Sequence, residues 1–144
     1  MLLAKGDLWT IPSRVILVTT NGCLDRKGKA VMGAGVALQC KNRYPKLPEM
    51  LGSRIADTGN HSYLFIGDEK IIITFPTKHK WWEPSDIKLI ERSAQEIEIL
   101  VNRYQLTRIV GTAPGCGNGM LDWATVKPVI EQYFDDRYTI LVKE

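Results

Sequence analysis

Five short runs of branched and apolar residues are spaced along the chain, and each is typical of a β-strand. They are VILVTT at 15–20, HSYLFIG at 61–67, KIIITF at 70–75, TRIVGT at 107–112 and YTILVK at 138–143. The last two runs are almost wholly apolar, which favours strands that are covered on both faces. Gly67-Asp68-Glu69, between the second and third runs, indicates a hairpin turn.

Four segments with apolar residues at spacings of three and four alternate with these runs and predict helices. In the clearest, at 85–104, Ser85 is the expected N-cap. Asp122 is the expected N-cap of the last helix. Pro128 lies inside that helix, so either the helix is kinked or Thr125 caps a later start. The other three predicted helices cover 34–44, 48–57 and 123–134.

Strands that alternate with helices predict an α/β fold with a mixed sheet between helical layers. The 144 residues suit one domain over 1–144, and 44% hydrophobic residues can form an ordinary core. No apolar run reaches the roughly 20 residues of a membrane span. The first residues, MLLAKGDLW, lack the apolar length of a signal peptide. We therefore expect a soluble, cytoplasmic protein without membrane contact, and a monomer.

Charge and cysteine content exclude other classes of protein. A net charge of +3 is too small by itself to indicate nucleic-acid binding. The three cysteines, Cys23, Cys40 and Cys116, are odd in number and lack metal-ligand spacing. They predict neither a disulfide framework nor a zinc site.

Two glycine-rich turns carry the candidate chemistry: Gly33-Ala34-Gly35-Val36 and GCGNGM at 115–120. Each is expected to lead into a helix, where unpaired N–H groups attract anions and glycine allows close approach. Ligands of α/β sheets bind where strands end and helices begin. Two such turns favour a diphosphate ligand over the alternative that the glycines only make tight turns. There is no GxxxxGK(S/T) loop, and Ala37 stands where GxGxxG needs its third glycine.

Five motifs, in order along nearly the whole chain, resemble the macro domain family, the ADP-ribose-binding fold. FPTKHKWWEPS and GCGNGMLDW are similar to the branch that contains the DarG antitoxins and the terminal ADP-ribose protein glycohydrolase. The resemblance implies a three-layer α/β/α macro domain with ADP-ribose as ligand, and neither cofactor nor metal. The motifs are GDL at 6–8, TTN at 19–21, VMGAGVALQ at 31–39, FPTKHKW at 75–81 and PGCGNGMLDWATVKPVIE at 114–131.

The resemblance also implies which residues contact ADP-ribose. Asp7 is expected to accept from the adenine amino group with help from a neighbouring backbone amide, and Asn21 to bond the distal ribose. The alternatives are a surface turn carboxylate for Asp7 and a turn before Gly22 for Asn21. The expected contacts are Asp7, Leu8, Thr20, Asn21, Gly33, Ala34, Gly35, Val36, Thr77, Pro114, Gly115, Cys116, Gly117, Asn118, Gly119 and Met120.

Lys78, in FPTKHKW, is the expected catalytic residue, because the lysine at this motif position in related glycohydrolases is implicated in cleavage at the anomeric carbon. Its amine could attack that carbon if desolvation keeps it partly neutral. As an ammonium it could instead stabilise an oxocarbenium-like transition state. Both roles remain open, beside the alternative of an exposed lysine after a strand. Lys80 is the second choice for the role.

The second glycine turn bears on the substrate. Family members that act on protein glutamate carry an acid where this chain has Gly119, and Asp122 is expected to cap a helix instead. A nucleobase-linked substrate is therefore favoured. A helix N-terminus could lower the pKa of the Cys116 thiol and make it a nucleophile. The preferred interpretation is a small side chain that fills the turn.

Two further segments raise the question of nucleic-acid contact. Lys80, Trp81 and Trp82, with His79 beside them, could grip single-stranded DNA by stacking, or the tryptophans could staple the next helix to the core. The charged segment 23–29 departs from the family pattern. Its residues Asp25, Arg26, Lys27 and Lys29 could form a flap over the ligand or a nucleic-acid contact, or only a solvated loop, which is favoured.

The leading hypothesis is an enzyme that hydrolyses ADP-ribose from a modified target, with an ADP-ribosylated DNA base as the first candidate. The alternatives are a non-catalytic ADP-ribose reader, a hydrolase of protein-linked ADP-ribose or its esters, and a nucleic-acid-binding domain. An ADP-ribosyltransferase toxin is a further expected partner. DarG-type proteins carry another region that binds the toxin, so this chain is expected to be either part of a longer protein or a stand-alone relative.

Overall fold

The computed structural model describes residues 1–142, and within them six strands form one sheet. The strand order across the sheet is β1-β6-β5-β2-β4-β3, and every neighbouring pair is parallel except β3 and β4. The prediction of a mixed sheet is therefore confirmed. The strands are β1 Leu2–Ala4, β2 Val15–Thr20, β3 Leu64–Ile66, β4 Ile71–Pro76, β5 Ile109–Thr112 and β6 Tyr138–Leu141.

Four α-helices lie within the described residues, together with a 3₁₀ turn over Gly117–Gly119. All four correspond to predicted segments, with ends that differ by at most a few residues. None of the helices in residues 1–142 is long and apolar enough to cross a bilayer. The helices are α1 Gly35–Arg43, α2 Leu47–Thr58, α3 Ile87–Arg103 and α4 Trp123–Glu131.

The sheet separates two hydrophobic cores, and β2 supplies both. Val15 and Leu17 pack with residues of α3 and α4, whereas Ile16 and Val18 pack with residues of α1 and α2. Successive side chains of a strand point to opposite faces, so an uninterrupted apolar run such as VILV is what a strand buried on both faces requires. The three-layer α/β/α architecture is therefore confirmed.

The N-cap of one helix differs from the prediction, and the start of another decides between two open alternatives. The N-cap of α3 is Asp86, whose Oδ1 accepts from the Lys88 N–H at 2.9 Å, so the assignment of this role to Ser85 is wrong. α4 begins at Trp123 and continues through Pro128, which excludes a later start at Thr125. Asp122 occupies the N-cap position of α4, as predicted, although its side chain makes no capping hydrogen bond.

All five predicted strands are present in the sheet, and one strand at the sheet edge was not predicted. Gly67 donates to the Lys70 carbonyl at 2.8 Å, which closes the predicted hairpin between β3 and β4. The edge strand β1 was not predicted, and its Leu2 and Leu3 are exposed. The run predicted at 138–143 reaches Lys143, which lies outside the described residues.

Candidate active site

A cleft of about 780 Å³ opens where β2, β4 and β5 end. This volume lies within the roughly 300–1,000 Å³ of ligand sites, and the carboxyl edge of a parallel sheet is where α/β proteins bind ligands. β2 is the switch point, because β4 lies on one side of it and β5 on the other. Loops that follow these neighbouring strands therefore meet at one edge.

Most of the sequence-predicted contacts line this cleft, and four do not. Asp7, Leu8, Pro114 and Met120 are outside the lining; Leu8 is buried and the Met120 side chain is 79% exposed. Trp81, Ser85, Thr112 and Ala113 line the cleft without having been predicted. The predicted residues in the lining are Thr20, Asn21, Gly33, Ala34, Gly35, Val36, Thr77, Lys78, Gly115, Cys116, Gly117, Asn118 and Gly119.

The first glycine turn places the N-terminus of α1, which has no side-chain cap, at the cleft. Ala34 is the N-cap residue in extended conformation, and no side chain caps the helix. Gly35 has φ +56°, a value that glycine adopts without strain. A Cβ at Gly35 would lie 3.5 Å from Asn118 Nδ2, so the side chain of the second turn lies next to the first turn. The free N–H groups of α1 therefore face the cleft between the turns.

The second glycine turn folds back on itself through residues with positive φ. Gly115, Gly117 and Met120 have φ of +77°, +75° and +68°. The N–H of Leu121 donates to the Gly115 carbonyl at 2.9 Å and closes the turn. The left-handed conformation at a methionine is uncommon and turns that side chain towards solvent.

Ser85 holds the second turn and leaves no room for a side chain at Gly119. The Ser85 N–H donates to the Gly119 carbonyl at 2.9 Å. A Cβ at Gly119 would lie only 2.2 Å from Ser85 Oγ, far inside van der Waals contact. Ser85 is 7% exposed, and its Oγ has no hydrogen-bond partner among the described residues. A carboxylate at position 119 would therefore have to displace the Ser85 hydroxyl.

The segment that carries Lys78 is fixed by backbone contacts on both sides. Thr77 N–H donates to the Thr20 carbonyl at 3.1 Å, and the Thr77 carbonyl accepts from Asp86 N–H at 2.9 Å. Asn60 Nδ2 donates to the Lys78 carbonyl at 3.0 Å. These bonds hold Lys78 between the end of β2 and the start of α3.

The Lys78 side chain is half-buried in the cleft wall, and its Nζ donates to the Trp81 carbonyl at 3.4 Å. Lys80 is exposed and lies outside the cleft lining. Of the two lysines in FPTKHKW, the structure therefore brings only Lys78 to the glycine turns.

Asn21 uses its amide within the fold. Its Oδ1 accepts from Cys23 N–H at 2.9 Å, and its Nδ2 donates to the Val31 carbonyl at 3.1 Å. This arrangement matches the turn interpretation, although Asn21 also lines the cleft. Asp7 is exposed, and its Oδ1 accepts from Trp9 N–H at 2.7 Å. Its neighbour Gly6 is the residue that reaches the cleft.

Cys116 is not an activated thiol. Burial raises its pKa, and the negative charge of Asp122 raises it further. Its Sγ lies 3.7 Å from the Pro114 carbonyl. The idea of a lowered pKa is wrong, and the small-side-chain interpretation fits. Within residues 1–142, no cluster of His, Cys, Asp and Glu is arranged to hold a metal ion.

The charged segment 23–29 packs on α2 rather than over the cleft. Asp25 Oδ1 accepts from the N–H groups of Lys27 and Lys29 at 2.8 and 3.0 Å, and the Lys29 bond is the main cause of the lowered pKa of Asp25. Gly52 of α2 admits the turn, because a Cβ there would lie 2.1 Å from the Gly28 carbonyl. None of the charged residues of this segment lines the cleft. The flap over the ligand is therefore wrong.

Comparison with known proteins shows a consistent set of relatives, although no protein-family model matches. The chain is 30% identical over 135 residues to a DNA ADP-ribosyl glycohydrolase of Mycobacterium tuberculosis, covering 85% of this chain and 35% of the relative. It is 27% identical to the Thermus aquaticus protein of the same name, covering 89% and 36%. The chain thus spans about a third of the length of these curated relatives.

Solved structures give the same result for the fold. The macrodomain of Mycobacterium tuberculosis DarG superimposes with a TM-score of 0.82 at 27% identity, covering 98% of this chain and 95% of that one. A Thermosipho africanus DarTG structure in complex with ADP-ribose gives a TM-score of 0.85 at 23% identity, covering 98% and 41%.

Proposed function

The chain belongs to the macrodomain family, and from that premise we propose that it binds ADP-ribose and removes it hydrolytically from a DNA base. One observation carries this proposal: the half-buried Lys78 lines the same cleft as two glycine turns, and the Asn118 side chain of the second turn lies beside Gly35 of the first. The curated relatives are named DNA ADP-ribosyl glycohydrolases, and the superimposable Thermosipho africanus structure is described as a complex with ADP-ribose.

The diphosphate of ADP-ribose occupies the space between the two turns. The first turn of α1 carries no acidic residue and no side-chain cap, so its N–H groups are free to bind an anion. The 3₁₀ turn over Gly117–Gly119 closes over the same space from the other side. The adenine lies towards Gly6, and Asp7 with its neighbouring backbone serves as the adenine contact.

Lys78 acts on the anomeric carbon of the distal ribose, where the bond to the base breaks and water finally adds. A neutral amine would attack that carbon and form an adduct that water releases. An ammonium would instead stabilise the positive sugar and the departing base. Treatment with borohydride during turnover, followed by mass spectrometry, separates the two roles, since only the first leaves ribose reduced onto Lys78.

Position 119 supports a nucleobase rather than a protein carboxylate as the leaving group. The second turn offers no acid there, and Ser85 Oγ occupies the space in which one would begin. A departing base can delocalise its charge over the ring and take its proton from water, so its release does not require a protein acid at position 119.

Release of ADP-ribose from an ADP-ribosylated single-stranded oligonucleotide tests the proposal directly. The unchanged protein should release it, and Lys78→Ala should lose release while retaining affinity for free ADP-ribose by calorimetry. Lys41→Ala is the matched control, since Lys41 is an exposed lysine outside the cleft lining, and it should keep both properties. If the unchanged protein binds ADP-ribose but releases none from DNA or protein substrates, the non-catalytic reader is the correct function. If millimolar ADP-ribose gives neither heat nor a thermal shift, both functions are wrong.

We further propose that the protein is a monomer in the cytoplasm, that it contacts the single strand flanking the modified base, and that an ADP-ribosyltransferase supplies its substrate. A relative from Thermosipho africanus is named as a fusion of a DNA ADP-ribosyl transferase with a DNA ADP-ribosyl glycohydrolase, which supports pairing of the two activities. Sedimentation of the purified chain, and co-purification with a transferase, test the first and last of these statements.

A further inference from the structure

Two adjacent tryptophans project into solvent beside the cleft. The side chains of Trp81 and Trp82 are 56% and 62% exposed. Their rings are perpendicular, with centroids 5.4 Å apart. Neither belongs to the two hydrophobic cores, so the interpretation that they staple α3 to the core is wrong. Exposed indoles at the mouth of a cleft indicate a surface that a ligand covers.

A closed turn keeps the indoles in this position. The N–H of Glu83 donates to the Lys80 carbonyl at 3.1 Å, and Glu83 Oε1 accepts from Lys80 N–H at 3.0 Å. The two tryptophans are the central residues between these contacts. A surface that is ordered before binding loses little conformational entropy on binding.

The charge around the turn matches a polyanion. Lys80 Nζ lies over the Trp82 ring, 5.9 Å from its centroid. The neighbouring acidic groups are engaged: Glu83 with Lys80 N–H, and Asp86 with His79 Nε2 at 2.9 Å. An aromatic face with an adjacent ammonium is the arrangement that grips a base and its phosphate in single-stranded nucleic acid.

We propose that Trp82 and Lys80 form a subsite for the nucleotide next to the modified one in a single DNA strand. This subsite rests on the proposed function. It is continuous with the cleft, because Trp81 lines the cleft and is also the neighbour of Trp82 in the exposed turn. A duplex hides its base faces in the stack, so only an unpaired strand can offer a base to Trp82. The modified base then sits over Trp81, and its neighbour stacks on Trp82.

The subsite is also connected to the reactive amine. Lys78 Nζ donates to the Trp81 carbonyl, which belongs to the turn that presents both indoles. A strand that binds the turn therefore lies on the same peptide that holds the Lys78 amine. Trp82 is a positioning residue, since it touches the flanking nucleotide and not the reacting atoms.

Comparison of two substrates tests the subsite: an ADP-ribosylated oligonucleotide and the corresponding ADP-ribosylated nucleoside. For the unchanged protein, kcat/KM should be about ten-fold higher for the oligonucleotide. Trp82→Ala should bring the ratio of the two kcat/KM values close to one. Tyr104→Ala is the matched control, since Tyr104 is a similarly exposed aromatic at the far end of α3, and it should leave the ratio unchanged.

Several outcomes would overturn the subsite while leaving the proposed function intact. They are equal kcat/KM for both substrates, a ratio unaffected by Trp82→Ala, or equal use of duplex and single strand. If neither DNA substrate is hydrolysed, the proposed function fails instead. Quenching of tryptophan fluorescence by an unmodified oligonucleotide then tests the subsite alone: salt-sensitive quenching that Trp82→Ala weakens supports it, and its absence overturns it.

Discussion

Replacement of Gly119 by alanine is expected to destabilise the protein through a single steric contact. The φ of Gly119 is not positive, so alanine carries no backbone strain there. The added methyl carbon would, however, lie 2.2 Å from Ser85 Oγ and 3.1 Å from Ser85 Cβ. Ser85 cannot retreat freely, because it is buried and its N–H holds the Gly119 carbonyl at 2.9 Å.

The size of the effect follows from three terms. Overpacking of a buried site costs about 1–3 kcal/mol. Weakening of the Ser85–Gly119 hydrogen bond adds about 1 kcal/mol. The smaller conformational freedom of alanine in the unfolded chain offsets about 0.4–1 kcal/mol. We expect a net loss of about 1–3 kcal/mol in the free energy of unfolding, or about 4 °C in melting temperature per kcal/mol for a domain of this size.

Urea denaturation followed by tryptophan fluorescence measures this loss in a double-mutant cycle. Ser85→Ala removes the clashing hydroxyl, which is buried without a partner, so that change alone should be neutral or stabilising. Gly119→Ala should then cost much less in the Ser85→Ala background. Gly33→Ala is the matched control: it also lines the cleft without positive φ, but its methyl would meet no atom within 4 Å. Equal losses from Gly119→Ala in both backgrounds would refute the steric explanation.

Three further expectations follow from the structure. Because the pKa of Cys116 is raised, its thiol should be alkylated slowly at pH 8, and more slowly still when ADP-ribose is bound. Burial raises the pKa of Cys40 to about 12, so Cys40 should stay unlabelled until the protein unfolds. Mass spectrometry measures both rates, and fast labelling of either cysteine in the folded protein would contradict the expectation. The hydrogen bond with His79 is the main reason that the pKa of Asp86 is lowered in the folded protein. The Asp86 carboxylate therefore stabilises the fold above its unfolded-state pKa of about 3.9, and this stabilisation is lost as the pH falls through the lower pKa of the folded state. The stability of Asp86→Asn should not show this loss on acidification. Asn60→Ala should lower kcat without weakening ADP-ribose binding, and weaker binding in calorimetry would contradict this role.

The features that the sequence made predictable depend on neighbours in the chain. VILVTT predicted β2 residue for residue, because a strand buried on both faces must be apolar throughout. The two glycine turns were also recognisable, because the residues that form a turn are neighbours in the sequence. β1 was not predicted, because it has only three residues and its two leucines are exposed at the sheet edge. Such a short segment shows no alternation of apolar and polar residues.

The unpredicted features depend on contacts between distant segments. Ser85 has a local pattern that suits an N-cap, but Asp86 takes that role and leaves Ser85 against the second glycine turn. For the charged segment 23–29 the sequence favoured a solvated loop and did not indicate its contact with Gly52, a small residue in the middle of α2. Neither contact leaves a pattern in the residues around it.

Ser85 and Gly119 also indicate how this cleft could change its substrate. The glycine-rich turn suggests that Gly119 is needed for its backbone conformation. Its φ is not positive, however, so the backbone at this position would also accept alanine or aspartate. The restriction comes from Ser85 on the neighbouring loop, the same loop that carries Lys78 and the exposed tryptophans. One short segment therefore supplies the amine, shapes the second turn and forms the outer surface of the cleft. An acid at position 119 would have to displace the Ser85 hydroxyl, so the effect of such a change depends on the neighbouring loop as well as on the second glycine turn.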